Sequence, residues 1–340
     1  MNKTTDLDSK FAETIDSAEI KSETGNEGGN AFIVRKKKKY QYQAFLWLAP
    51  AIVLLLVFCY YPPIYSIIMS FTDTKTPVLG KWVGLDNYIK VLTDLYDVAG
   101  EKYMFWISMK NVIICIVVGL IGGNALTFIM AELLNDCAST RASSAYRFLF
   151  IVPMVVPGLV GMLIWQNIVF SAASNGLVNS FLGLFGIEPQ GFYASEKQAL
   201  WSIILTGFPW VGGTSLLIYL AGLQGINGEM VEAAKLDGIT VVKRVFFIDL
   251  PCIAGQLKYF LVTGIIGGFQ AYTWQLIFTH GGPGTHGATM VPGYLIYDTA
   301  FTDRQYGLSA AMGVILFLIT LTLTIINMRM TNKVETEEQH

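Results

Sequence analysis

An all-α membrane protein with six transmembrane helices is the fold class that this sequence predicts, and two observations predict it. Of the 340 residues, 53% are hydrophobic and only 14% are charged, whereas soluble domains carry about 25% charged residues. The charged residues also leave six uncharged stretches, and each exceeds the about 20 apolar residues that a membrane-spanning helix needs. These stretches are 40–72, 111–131, 148–187, 198–228, 259–297 and 305–328.

The order of polar and apolar segments predicts how the chain is organised. The six predicted parts are a disordered cytoplasmic tail, a basic juxtamembrane segment, the first transmembrane helix, an external loop, the transmembrane core and a second cytoplasmic tail, at 1–34, 35–44, 45–69, 73–106, 107–328 and 329–340. The first tail has too little apolar surface to offset the entropy of ordering. In the external loop, the segment WVGLDNYIKVL predicts a short surface helix. The other five spans are predicted at 109–131, 148–170, 199–222, 259–279 and 308–328.

Lysine and arginine residues predict the orientation of the spans. If the N-terminus lies in the cytoplasm, the cytoplasmic segments contain 16 of the 23 basic residues and the external segments contain 7. This bias has the sign that the positive-inside rule requires. Both termini are therefore predicted to be cytoplasmic.

Glycine and proline residues predict how some of the spans pack. Gly119 and Gly123 have the four-residue spacing that lets helices approach closely, and so have Gly264 and Gly268. Pro153 and Pro157 predict kinks in the third span. These residues indicate packing and not chemistry.

Charged residues are absent from the interiors of all six predicted spans. Ion-coupled transporters usually carry ionisable residues there, so the pattern disfavours a secondary transporter. Sodium can also be bound by backbone carbonyls and hydroxyls, and this class therefore remains an alternative. A membrane-embedded enzyme would need a catalytic group of residues inside the spans, and the sequence shows none. There is no Walker loop for ATP, the four cysteines are far apart in the sequence, and no metal or cofactor is predicted.

The cytoplasmic segment 224–258 carries the clearest local signals. Asn227 is predicted to cap a helix over EMVEAAKL, which stops at Asp237 and Gly238. Thr240 is predicted to cap a second helix, VVKRVFFI, which ends at Pro251. Two short amphipathic helices can enter the groove of a soluble partner. The alternative is a hairpin that lies against the membrane or the helix bundle.

The segment EAAKLDGITVVKRVFFIDLP resembles the EAA loop of ABC importer permeases. Seven residues match that pattern in register: Glu232, Ala233, Ala234, Gly238, Ile248, Leu250 and Pro251. The resemblance extends over about 45–330 and is strongest with the sugar-uptake branch of type I permeases, for example in YRFLFIVPMVVPG and FQAYTWQLIFTHGGPG. One departure is Thr273, where many members of that branch have an acidic residue.

The resemblance implies a type I ABC importer transmembrane fold in a bacterial plasma (inner) membrane. It also implies that the chain is a permease subunit and not an enzyme. Its implied partners are a second, homologous permease, a cytoplasmic ABC ATPase dimer and an extracellular solute-binding protein. In this family the EAA loop docks on the ATPase and transmits its closure to the spans, which produces alternating access.

The resemblance implies a sugar or oligosaccharide as the substrate. The neutral hydrogen-bonding and aromatic side chains of spans three to five favour a neutral polyhydroxylated solute over an ion. A sugar offers hydroxyl groups and weakly apolar ring faces, and these residues suit both. One alternative substrate is another small polar solute, such as glycerol phosphate. An alternative role for the aromatic residues is to form belts at the membrane interfaces. The candidate residues are Trp165, Gln166, Asn167, Trp210, Thr214, Ser215, Tyr219, Gln270, Tyr272, Trp274 and Gln275.

Overall fold

A computed structural model describes residues 39–76, 78–93, 104–137, 139–278 and 287–337 of the chain. The chain divides into two compact units, Met1–Phe58 and Cys59–His340. The predicted N-terminal tail and the start of the basic segment lie outside the described residues, so that part of the predicted organisation is not tested.

The regular secondary structure of the described residues is helical apart from one isolated bridge between Thr72 and Trp82, and turns and irregular segments connect the helices. Short π-helical or 3₁₀ segments follow α1, α5, α6 and α11 as numbered here. The helices α1 to α16 are, in chain order, Lys39–Leu55, Tyr61–Met69, Asp86–Thr93, Met104–Asn135, Thr140–Ile151, Gly158–Ile164, Leu177–Gly183, Ala199–Leu205, Gly213–Gln224, Gly228–Leu236, Val241–Arg244, Leu250–Cys252, Ala254–Gln270, Thr273–Phe278, Pro292–Phe301 and Tyr306–Glu337.

Three helical stretches within the described residues are long and apolar enough to cross a membrane. They are Phe45–Met69, Met104–Asn135 and Tyr306–Arg329, and they coincide with the first, second and sixth predicted spans. Two bent helix pairs raise the number of candidate spans to five. The all-α prediction is confirmed, whereas six unbroken transmembrane helices are not what these residues form.

The third predicted span, 148–170, is bent by 93° between two helical stretches, Arg141–Val155 and Gly158–Val169. The break contains Pro157, which occupies the N-cap of α6 and cannot donate a backbone hydrogen bond. The sequence correctly located this kink but predicted a single helix across it.

The fourth and fifth predicted spans are also interrupted. Residues 199–222 form α8 and α9, because α8 ends at Leu205 and a turn containing Pro209 follows it. Of the fifth predicted span, residues 259–278 are described, and they form the end of α13 and then α14, with extended backbone at Ala271 between them. Hydropathy indicated that these segments are apolar, but it carries no signal for a helix break.

Helix α4 is the centre of the second unit and packs against α9, α13 and α15. Adding a Cβ atom at Gly264 or Gly268 of α13 would place it against Leu120 or Ile116 of α4. These two glycines therefore allow the close helix approach that their spacing predicted. One apolar cluster surrounds Met104 and Val112 near the start of α4, and a second surrounds Phe128 and Ala131 near its end.

Helix α3 confirms the short helix predicted in the external loop. Its buried residue Asn87 donates hydrogen bonds from Nδ2 to the carbonyl oxygens of Ser70 and Thr72, at 2.9 and 2.8 Å. The same carbonyl of Thr72 lies against Gly307 at the start of α16. These contacts hold the segment after α2 against the last long helix.

Candidate functional site

Helix α10 begins and ends as the sequence predicted. The side chain of Asn227 caps it, since Oδ1 accepts a hydrogen bond from the backbone N–H of Glu229 at 3.0 Å. At the other end, Gly238 has φ +73°. The N–H groups of Gly238 and Ile239 donate to the carbonyl oxygens of Lys235 and Ala234, both at 3.1 Å. This is a Schellman motif, whose left-handed residue is usually glycine.

The segment after α10 differs from the prediction. Thr240 occupies the N-cap of α11, but its side chain makes no capping hydrogen bond. The helix also passes through a π-helical segment at Val245–Asp249 and ends at Cys252, one residue after Pro251. A π segment shifts the backbone hydrogen bonds to i→i+5, and Pro251, which lacks an N–H, lies at the start of the short helix that follows. The chain then bends by 71° at Ile253 into α13.

Apolar side chains of the segment 224–258 lie on two sides. Ile253 is fully buried, and Val245 and Leu250 pack against the same cluster. On the other side, a set of large apolar residues is exposed, and Leu236 is the most exposed at 89%. The other members of this exposed set are Met230, Val241, Val242, Phe246 and Phe247. The segment is thus anchored to the bundle and presents apolar side chains that the described chain does not cover.

The seven residues of the EAA pattern share this segment. Glu232 and Ala233 are exposed on α10, and Gly238 and Pro251 are exposed beyond it. The other three, Ala234, Ile248 and Leu250, are half-buried.

A cavity of about 550 Å³ lies among α4, α8, α9 and α13. Four of the predicted substrate-path residues line it: Trp210, Ser215, Trp274 and Gln275. Four further polar residues that sequence reasoning missed also line it: Asn124, Thr127, Thr206 and Thr263. Asn124 and Thr127 are three residues apart on α4, a spacing that puts both on one helix face and was available as a signal.

Trp210 is held in the cavity wall by two neighbours. Its indole Nε1 donates to the carbonyl oxygen of Ile204 at 3.0 Å. A Cβ atom added at Gly122 of α4 would lie 2.9 Å from Cζ3 of the indole ring. Glycine at position 122 is therefore what allows the ring to approach α4 so closely.

The other predicted path residues do not line this cavity. Tyr219 is fully buried in the second apolar cluster, and its hydroxyl donates to Oδ1 of Asn124 at 3.1 Å. It therefore positions a lining residue instead of facing the cavity itself. The remaining six lie outside this cavity: Trp165, Gln166, Asn167, Thr214, Gln270 and Tyr272.

An aromatic group joins the segment between α7 and α8 to the cavity. Tyr193 stacks on Phe278 of α14 with a ring distance of 4.6 Å, and its hydroxyl lies 3.2 Å from the hydroxyl of Thr206. Burial raises the pKa of Tyr193 to about 12, so its phenol stays neutral at physiological pH. Trp274, which lines the cavity, also contacts Phe278.

Sequence reasoning also missed a cluster of charges around Arg244. Its Nε lies 2.9 Å from Oδ2 of Asp249, and its Nη2 lies 2.8 Å from Oδ2 of Asp136 and 3.4 Å from Oε2 of Glu132. Arg244, Glu132 and Asp249 are buried. The available signal was the position of Glu132 directly after the second uncharged stretch.

The long apolar helices, the exposed apolar side of segment 224–258 and the uncharged cavity are features expected of a membrane permease. Residues 123–335 match the family of binding-protein-dependent transport system inner membrane components, and the chain belongs to this family. It is a multi-pass inner membrane permease of an ABC transporter and is not itself an enzyme. The resemblance inferred from the EAA pattern is confirmed.

The relatives are similar over most of their length. The chain is 30% identical to the probable ABC transporter permease protein YesP of Bacillus subtilis, over 89% of this chain and 94% of the relative. It is 28% identical to the arabinooligosaccharides permease AraP of the same organism, over 86% and 90%. It is also 28% identical to the lactose permease LacF of Rhizobium radiobacter, over 85% and 93%. The fold matches the crystal structure of a bacterial ABC transporter involved in alginate import, with a TM-score of 0.71, 21% identity, and coverage of 87% and 97%.

Proposed function

We propose that the chain forms half of the translocation pathway of an ATP-driven importer for a sugar or oligosaccharide. The complete importer contains a second, homologous permease, a cytoplasmic ATPase dimer and an extracellular solute-binding protein. Six spans cross the membrane: α1 with α2, α4, α5 with α6, α8 with α9, α13 with α14, and α16. Both termini lie in the cytoplasm.

The exposed apolar side of 224–258 is the observation that carries this proposal. An amphipathic helix that no other part of the chain covers is suited to bind in the groove of a partner. Helix α10 has no buried residue, and it carries Glu232 and Ala233 of the EAA pattern. We assign this segment as the site where the ATPase docks, and we call it the coupling loop.

The uncharged cavity supports a neutral solute. All of its lining residues are uncharged, and the polar ones offer hydroxyl, amide and indole groups. These groups can exchange hydrogen bonds with sugar hydroxyls, whereas a phosphate group would need a cationic partner. The names of the relatives AraP and LacF, which refer to arabinooligosaccharides and lactose, point to the same class of solute.

The deciding experiment is reconstitution of the chain with its partner permease, ATPase and binding protein. Uptake of labelled arabino-oligosaccharides, lactose and starch-derived oligosaccharides is measured in proteoliposomes, with glycerol phosphate as the competing class. We expect uptake of at least one sugar that requires ATP and survives collapse of the proton and sodium gradients. Gradient-driven uptake by this chain alone would contradict the proposal and favour a secondary transporter. Uptake of glycerol phosphate alone would contradict the sugar assignment.

A further inference from the structure

The cluster around Arg244 connects two parts of the chain that are distant in sequence. Arg244 and Asp249 belong to the coupling loop, whereas Glu132 and Asp136 lie at the end of α4. Both Asp136 carboxylate oxygens accept hydrogen bonds from Nη2 of Arg244, at 2.9 and 2.8 Å, while Nε donates to Asp249. One guanidinium group is thus shared between the coupling loop and α4.

Helix α4 is also the main wall of the cavity. Eight of the residues that line the cavity belong to it: Val112, Cys115, Ile116, Gly119, Leu120, Gly123, Asn124 and Thr127. Helix α13 supplies another part of the wall and follows the coupling loop directly in the chain. The coupling loop can therefore move α9 and α13 through the backbone, and both of these helices pack against α4. The direct contacts between the described coupling loop and α4 are made by side chains.

Two kinds of contact join the coupling loop to α4. Apolar packing brings Val245 and Leu250 into the cluster that contains Leu134, but such contacts have no preferred direction and allow sliding. The guanidinium of Arg244 has a planar set of donors that fixes both distance and orientation to carboxylates. Burial of Arg244, Glu132 and Asp249 strengthens their interactions, because little water competes for the same donors, whereas the Asp136 side chain is 41% exposed.

We infer that Arg244 is a positioning residue that makes α4 follow the coupling loop, so that movement of the docked ATPase changes the shape of the cavity. This inference rests on the proposed function, because it requires an ATPase on the coupling loop. In this inference, motion of the coupling loop reaches α4 through the ion pairs of Arg244 and reaches α13 through the continuous backbone.

The test compares one reporter on each helix in the complete complex. Native Cys59, Cys115, Cys137 and Cys252 are replaced by alanine, and one cavity-lining residue is changed to cysteine. The α4 reporter is Gly119→Cys, whose added Cβ has no atom within 4 Å. The α13 reporter is Thr263→Cys, which is also exposed. The rate of modification by a small thiol reagent is measured with and without ATP and vanadate.

We expect both reporters to respond to ATP when Arg244 is present. In Arg244→Gln, the α4 reporter should lose its response, whereas the α13 reporter should keep it. Arg141→Gln is the matched control, because Arg141 is an exposed arginine on α5 that lies outside the coupling loop and outside the cavity lining; it should leave both responses unchanged. Co-purification of the ATPase shows that each complex has assembled.

A second variant decides the result if Arg244→Gln does not assemble. Asp136→Asn weakens the contact with α4 and leaves the Arg244–Asp249 pair in place. The α4 reporter should therefore lose its response to ATP, whereas the α13 reporter should keep it. If Arg244→Gln, or Asp136→Asn in its place, changes both reporters alike or neither, Arg244 has only a structural role and the inference is wrong. If neither reporter responds in the unmodified complex, the proposed function itself fails and the inference falls with it.

Discussion

At the scale of single residues, Gly238 tests whether the shape of the coupling loop matters. Its φ of +73° lies in the left-handed region, which costs a residue with a Cβ atom about 1–2 kcal/mol. We expect Gly238→Val to reduce uptake severely while the protein still inserts in the membrane and pairs with the second permease. Gly228→Val is the control, since Gly228 belongs to the same loop, has no positive φ and has open space around its Cβ position. Equal uptake by the two variants would show that the loop does not need this turn.

Glu232 tests the side-chain contacts of the same loop. It is exposed on α10, where no part of the described chain uses its carboxylate. If it meets a basic group on the ATPase, Glu232→Ala should weaken ATPase co-purification, and the difference from the unmodified protein should shrink as the salt concentration rises, because salt screens the ion pair that only the unmodified protein makes. Glu229→Ala is the matched control from the first turn of the helix. Wild-type retention of the ATPase by Glu232→Ala would exclude a role for this carboxylate in docking.

Single residues also show how far the sequence alone can predict a site. Asn227 and Gly238 act on backbone groups a few residues away, so the local pattern was enough to predict both ends of α10. The partners Arg244 and Asp136 are 108 residues apart. No local pattern could pair them, because their contact exists only once α4 and the coupling loop have packed together.

At the scale of helices, the close contact between α4 and Trp210 gives a prediction about the cavity. In Gly122→Val, the added atoms would overlap the indole ring, and overpacking of this kind costs about 1–3 kcal/mol. We expect Trp210 to be displaced and the KM for sugar uptake to rise, with ATPase association unchanged. Gly267→Val should leave the KM unaltered, because Gly267 does not line the cavity and a Cβ atom there meets nothing within 4 Å. Equal KM values for the two variants would mean that Trp210 does not contribute to the sugar path.

Helix breaks explain why the elements were less predictable than the class. The uncharged stretches correctly indicated apolar segments, since burial in lipid depends on composition. Whether such a segment is one helix or two depends on packing, as at Ala271, where α13 gives way to α14. Proline supplied a signal at both sites, since one helix break contains Pro157 and the helix through Val245–Asp249 ends at Cys252, one residue after Pro251.

At the scale of the whole molecule, the distribution of basic residues predicts the orientation of the chain in the membrane and therefore the side on which the coupling loop lies. The excess of basic residues on one side predicts which loops face the cytoplasm. The same orientation places the coupling loop where an ATPase can reach it. A reversed topology would therefore also contradict the proposal that the ATPase docks on the coupling loop.

Cysteine labelling of intact cells tests this topology directly. Glu188 and Lys235 are both exposed, and in the proposed orientation they lie on opposite sides of the membrane. In a background without native cysteines, Glu188→Cys should react with an impermeant thiol reagent added outside. Lys235→Cys should react only after the cells are opened, and this second reaction shows that the residue is accessible. Labelling of position 235 from outside would reverse the orientation, remove the coupling loop from the cytoplasm and refute its assignment as the ATPase docking site.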